Sequence, residues 1–252
     1  MRNLIIENLK TKGYDVEPCD VEKNGIVKKG IRLSASSGVN VTPVIYPEDF
    51  RTVREAIAYA EMMFSSPAPA FNPELFTDWD YVKDHITVCV QKKSKELIEK
   101  EDFLDFECYL RVFINETSSY KVTSSIMTLL TAKAGDVDKV WETAYLNTRE
   151  KEHYEIKSDE FLFSIRTCSH AFGGNAIIFT DRFAAMAKEA NTDFIVLPVS
   201  TEYTCVLPNL VENTLDIHYM IYDMIALIPP EERLSDCAYI MRVGSDTFEK
   251  IS

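Results

Sequence analysis

Apolar positions along the chain recur at two spacings, and together they predict a mixed set of helices and strands. Leu4, Ile5 and Leu9 keep helical spacing and stop at Gly13. Val27–Leu33 and Val39–Tyr46 are dense in strand-forming residues, and the small-residue run Ser34–Gly38 between them predicts a turn. Pro47-Glu48-Asp49 then opens a helix whose apolar face is Val53, Ile57, Ala60, Met63 and Phe64. The Pro-containing run Ser65–Pro69 ends it, and residues 65–76 are the clearest loop in the chain. Trp79, Tyr81 and Val82 predict a short helix, Ile86–Gln91 alternates as a strand does, and Lys92–Asp102 is a mixed charged segment. Glu107–Ile114 and Tyr120–Leu130 are the next two strand segments, the second alternating unevenly enough to fit partial helix as well. Asp136 suits an N-cap for a helix carrying Val140, Trp141, Ala144, Tyr145 and Leu146, and Phe161–Arg166 returns to strand.

The last third has the clearest order. Gly173-Gly174-Asn175 is a structural turn leading into a strand, Ala176–Phe179. A helix at Ala184–Ala190 follows, then a hairpin of Phe194–Pro198 and Tyr203–Leu207. A second helix, Leu215–Ile228, is stopped by Pro229-Pro230, and Ala238–Val243 closes as a strand. Without a regular strand–helix–strand rhythm, the pattern predicts an α+β protein. Its sheets would be mixed and mostly antiparallel with flanking helices, ending in a strand–helix–hairpin–helix–strand unit. One unit spanning 1–252 is expected, with subdomains 1–134 and 135–252 as the finer division. A Gly turn, apolar segment and Ala-rich helix occur twice, from Gly38 and from Gly174, through either duplication or the common form of such units.

With 252 residues, 46% of them apolar, the chain can bury a core without disulfides or metals. No apolar run approaches the ~20 residues that span a bilayer. Met1–Glu7 has an early acid and too short an apolar stretch for a signal peptide, so a cytoplasmic protein is expected, with no membrane partner. Cys19, Cys89, Cys108, Cys168, Cys205 and Cys237 include no Cys-x-x-Cys pair and mostly lie in apolar runs, as small buried hydrophobes do. No disulfide, metal or cofactor is therefore expected.

Net charge is −13, which opposes binding to a phosphate backbone, so no direct nucleic-acid partner is expected. From Asp193 to Asp236 eight acids stand against one base, Arg233. Such a stretch is either a solvated face or a surface that docks a basic protein partner. The candidate partner-binding residues are Glu202, Glu212, Asp216, Asp223, Glu231 and Glu232.

Nucleotide-binding glycine motifs and a Gly-x-Ser-x-Gly nucleophile elbow are missing from the sequence. Cys168 and His170 project to one face of an extended strand but stand about 7 Å apart, too far for a direct thiol–imidazole bond. Asp216 and His218 diverge around their helix, since only positions three or four apart share a face. Asp78 and Asp80 beside Lys83 and Asp84 read as a helix start. No catalytic residue is assigned. A non-catalytic binding or regulatory protein is the expected function, and a hydrolase or transferase with dispersed site residues is the alternative.

Gly38–Tyr46 with Phe50, Ala144–Thr148, Gly174–Phe179, Phe194–Pro198 and Glu231–Asp236 resemble, in the same order, an uncharacterised family of cytosolic bacterial proteins. That family is a domain of unknown function, found mainly in anaerobic Gram-positive gut bacteria and often near mobile elements. The tail alone is also similar to a second uncharacterised bacterial family, the ytpQ-like proteins. The first resemblance implies a cytosolic, mobile-element-associated protein and supplies no catalytic residue. Members often have His-Glu in the hairpin after the Leu-Pro strand, where this chain has Glu202-Tyr203, so no metal or acid–base role carries over to that turn.

Overall fold

The computed structural model describes residues 1–34, 43–65, 73–114, 119–151, 154–159, 162–167, 173–209 and 214–251. Contacts divide the chain into two compact units, Met1–Leu75 and Phe76–Ser252.

In the first unit, helix α1 (Arg2–Thr11) precedes the antiparallel strands β1 (Val16–Lys23) and β2 (Ile26–Leu33). The short strand β3 (Val44–Ile45), a 3-10 turn at Pro47–Asp49 and helix α2 (Val53–Ser65) complete it. The helical spacing in α1 buries Ile5 and Leu9 against Val16, Ile31 and Leu33 of the sheet and Ala56 and Ala60 of α2. Strand β1 was hidden by its acids and by Pro18, which lacks the donor a central strand needs. It is tolerated because β1 lies at the edge of the β1-β2-β3 sheet. The first half of the expected Val39–Tyr46 strand lies outside the described residues, as does Gly38, and its second half contains β3.

The second unit starts with helix α3 (Trp79–Val82), where the Asp78 carboxylate caps the Asp80 N–H at 3.2 Å. Strands β4 (Ile86–Lys92), β5 (Lys100–Phe103), β6 (Phe106–Phe113) and β7 (Ser119–Lys121) form an antiparallel sheet around β6. Helices α4 (Ser124–Ala134) and α5 (Val137–Lys151) follow. Much of the segment expected as the strand Tyr120–Leu130 is therefore helix. The Thr123 side chain accepts from the Ile126 N–H and Gly135 closes α4 in the left-handed conformation, so both ends are capped. Met127, Leu130 and Ala134 then share the buried face. Position 134/135 lies between α4 and α5, which pack on each other and share one core within this unit.

Strands β8 (Tyr154–Asp159) and β9 (Leu162–Thr167), a 3-10 turn at Gly173–Ile178 and helix α6 (Thr180–Ala190) come next. Strands β10 (Phe194–Leu197) and β11 (Thr204–Pro208), helix α7 (Thr214–Ala226), and strands β12 (Tyr239–Met241) and β13 (Phe248–Lys250) complete the chain. The six-stranded antiparallel sheet has the order β13-β12-β10-β11-β9-β8. Helices and mostly antiparallel sheets make this an α+β fold. Helix α6, the β10–β11 hairpin, helix α7 and strand β12 follow the expected order, but the strand expected to open that unit is missing from it. Ala176–Phe179, expected as the first strand, instead lies at the 3-10 turn.

Strand β10 is buried on both faces, which explains its unbroken apolar run. Phe194 and Val196 join a core with Val88, Leu110, Trp141, Phe183 and Met241. Ile195 and Leu197 face the other way, and Ile217 and Ile221 of α7 cover them with Cys205 and Leu207. No helix among the described residues is long and apolar enough to cross a membrane.

Candidate functional site

Helix α7 buries Ile217 and Ile221, four residues apart, and turns the opposite stripe outward. Tyr219 is 70% exposed and Tyr222 74%, and Asp223 stands beside them on the exposed side; Leu227, just past the helix, is 87% exposed. Positions 219, 222, 223 and 226 follow the i, i+3, i+4, i+7 repeat of one helical face. His218 is exposed next to this stripe.

At the end of the same layer, main-chain pairing brings three of the six acidic candidates together. The Thr201 N–H donates to the Glu232 carbonyl at 2.8 Å, and Ser200 bridges Arg233, which sets Glu202 beside the 3-10 turn Pro230–Glu232. Glu202 is exposed, and Glu231 and Glu232 are half-buried. Tyr203 packs against the core on the α7 side of the sheet. Burial pushes its phenol up, and the negative field of Cys205, Glu202 and Glu232 adds to the shift. Arg233, the one base of the stretch, donates its Nε–H to the Ile228 carbonyl at 2.8 Å. Asp223 lies on the α7 face and Asp216 is on the first turns of that helix. Glu212 lies outside the described residues.

The Gly173-Gly174-Asn175 turn is a seam between the two sheets of the second unit. Gly174 N–H donates to the Thr201 carbonyl at 2.9 Å, while Asn175 Oδ1 accepts from the Val90 N–H of β4 at 3.0 Å. A Cβ on Gly174 would stand 2.5 Å from the Ser200 carbonyl oxygen, so the backbones approach too closely for any side chain. Close approach, and not a positive φ, is what requires glycine here. Asn175 works with α5: Thr148 Oγ1 accepts from the Val88 N–H at 2.8 Å, and Asn147 Nδ2 donates to the Ile86 carbonyl at 2.9 Å. These side chains cap the outer edge of β4, which would otherwise offer bare strand hydrogen bonds.

A titratable cluster that the sequence did not single out lies where the β5–β6 turn meets β12. Asp105 accepts from the Ser235 hydroxyl at 2.7 Å and from the Tyr239 hydroxyl. Lys250 pairs with Tyr239 across β12–β13, which brings it to the face carrying Cys237. Ligand atoms of Asp105, Asp236 and Cys237 lie within 4.8 Å of one another, a spacing that could hold a cation. Burial pushes the Cys237 thiol up; Lys250 pulls it down, and the Asp105 charge raises it further. A thiol held protonated is a poor nucleophile, and the Tyr239 phenol, raised first by burial and then by Asp105, stays a donor. The arrangement acts as a hydrogen-bonded latch between two sheets.

Of the other groups weighed in the sequence, Cys168 and His170 lie outside the described residues. Cys89, Cys108 and Cys205 are buried in strands as small hydrophobes, with Cys108 and Cys205 each pushed up to about 12, by burial above all.

Compared with models of protein families, with curated proteins and with solved structures, the chain matches none.

Proposed function

We propose that this is a non-catalytic binding protein whose acidic C-terminal layer engages a basic protein partner. The observation that supports it is the pairing that sets Glu202 beside the Pro230–Glu232 turn, with Asp223 on the α7 face of the same layer. Solvent-accessible charge of one sign, exposed at Glu202 and Asp223 and half-buried at Glu231 and Glu232, raises the local concentration of an oppositely charged partner and speeds its association. We also propose membership of the family the sequence resembles, which would place the protein in the cytoplasm and its gene near mobile elements.

The test is capture of host proteins at low and high salt by wild type and by Glu202→Lys/Glu231→Lys/Glu232→Lys. A basic protein retained at low salt, released at high salt and lost with the variant is the expected result. Equal recovery by both proteins would leave the acids a solvated face. The hydrolase or transferase alternative rests on the Asp105, Ser235, Cys237, Tyr239 and Lys250 cluster. It requires Cys237 to be unusually reactive at neutral pH, which alkylation would measure. The raised thiol pKa predicts slow alkylation instead.

A further inference from the structure

We infer that the outward face of α7 docks an Arg/Lys-rich amphipathic segment of that partner; this rests on the binding reading above and names the occupant. Tyr219 and Tyr222 offer two exposed rings one helical turn apart, with Asp223 adjacent to both. Leu227 lies one further turn along and is almost fully exposed. An exposed ring face attracts a guanidinium or ammonium, most strongly once docking removes water, and a neighbouring carboxylate favours the same cation. Leu227 adds a place for an apolar side chain, so the surface suits a segment that carries both characters.

Charge decides between possible occupants. No Lys or Arg occurs from Thr214 to Glu232, and Arg233 donates to the Ile228 carbonyl, so the face presents Asp223 and two rings with no cation from its own segment. A second copy of the chain, with its own net charge of −13, would bring acid against acid. An anionic membrane surface would be repelled for the same reason. A basic protein segment satisfies the carboxylate and both rings at once.

The probe is a labelled synthetic amphipathic helix of about 18 residues, with Arg and Lys on one face and Leu on the other. Its control carries Gln at every basic position. Fluorescence anisotropy would follow binding to wild type, to Tyr219→Ala/Tyr222→Ala, to Tyr219→Phe/Tyr222→Phe and to Glu202→Lys/Glu231→Lys/Glu232→Lys. Circular dichroism and Tm would verify folding of each. The basic probe is expected to bind wild type and the Gln control not to bind. The Ala pair should weaken binding about tenfold, as loss of two cation–π contacts implies, while the Phe pair keeps it within about threefold. If the Ala pair binds as wild type does while the Glu variant loses binding, the docking face is wrong and the acidic-surface reading stands. If wild type ignores the basic probe, or binds the Gln control equally, the inference is overturned. Sedimentation showing a wild-type dimer that the Ala pair abolishes would make a second copy the occupant and would also overturn it.

Discussion

The four-stranded sheet and the C-terminal layer are both rich in charge, yet they direct it in opposite ways. On one face of the four-stranded sheet, Glu107 is 3% exposed and accepts from Gln91 Nε2 at 2.8 Å, from the Ser94 hydroxyl at 2.7 Å and from Lys100 at 3.1 Å. Lys121 bonds Gln91 Oε1 and pairs with Glu96. The segment between β4 and β5 is thereby pinned onto the sheet by groups that satisfy one another. In the C-terminal layer, Asp193 pairs with Arg242, whereas Glu202 and Asp223 are exposed at the surface. A buried acid with a cation supplied by its own fold serves as internal glue, whereas exposed acids such as Glu202 and Asp223 project a field into solvent that attracts a cationic partner.

The largest expected effect comes from the seam that joins these regions. Gly174→Val forces a side chain into the Ser200–Thr201 backbone and should cost about 3 kcal/mol, a fall of roughly 10 °C in Tm. An unchanged midpoint would mean that the two regions are not tied there. Next is Glu107→Leu, which strips Gln91, Ser94 and Lys100 of their shared acceptor and should cost about 2 kcal/mol. Urea unfolding of the single variants and of Glu107→Leu with Lys100→Ala would measure the coupling, and strict additivity would remove the distinction drawn for this sheet.

Alkaline pH should weaken both regions together. Cys108 lies in the four-stranded sheet and Cys205 in the C-terminal layer, and each thiol is raised from 9.0 to about 12 by burial above all. The unfolded chain releases these protons first as pH rises, so the stability they contribute is complete below pH 9 and declines between 9 and about 12. Tm measured across that window should fall, and Cys108→Ala should flatten part of the slope. A Tm independent of pH over that range would contradict the burial of both thiols. The smallest stability effect belongs to the outward acids: Asp223→Lys should shift unfolding by under about 0.5 kcal/mol. A loss as large as that of Glu107→Leu would show that Asp223 is glue as well.

Local periodicity made much of this fold legible. The Ile5/Leu9 face, the β10–β11 hairpin and the Ile217/Ile221 face all follow from spacing within a few residues. Elements with weak internal patterns stayed hidden: β1 carries Pro18 and three acids, Glu17, Asp20 and Glu22, and β13 spans only Phe248–Lys250. In Tyr120–Leu130 the β-branched residues pointed to strand, and the Thr123 and Gly135 caps decided for helix. The acidic stretch was visible as composition, but the approach of Glu202 to Glu232 depends on main-chain pairing of residues 198–201 with 232–235. The Asp105 latch joins residues 130 positions apart, a separation at which one sequence carries no pairing signal. Tyr219 and Tyr222 were legible as helical positions, while their outward orientation required knowing which side α7 buries.

The most direct test of the acidic-surface account is a charge swap between Asp223 and its cationic counterpart. Asp223→Lys and a probe with one Arg replaced by Glu would be combined in a double-mutant cycle, with Kd measured at low and high salt. The account predicts that each change alone weakens binding, that the two together restore it, and that salt erases the restoration. Two losses that simply add at low salt would contradict it.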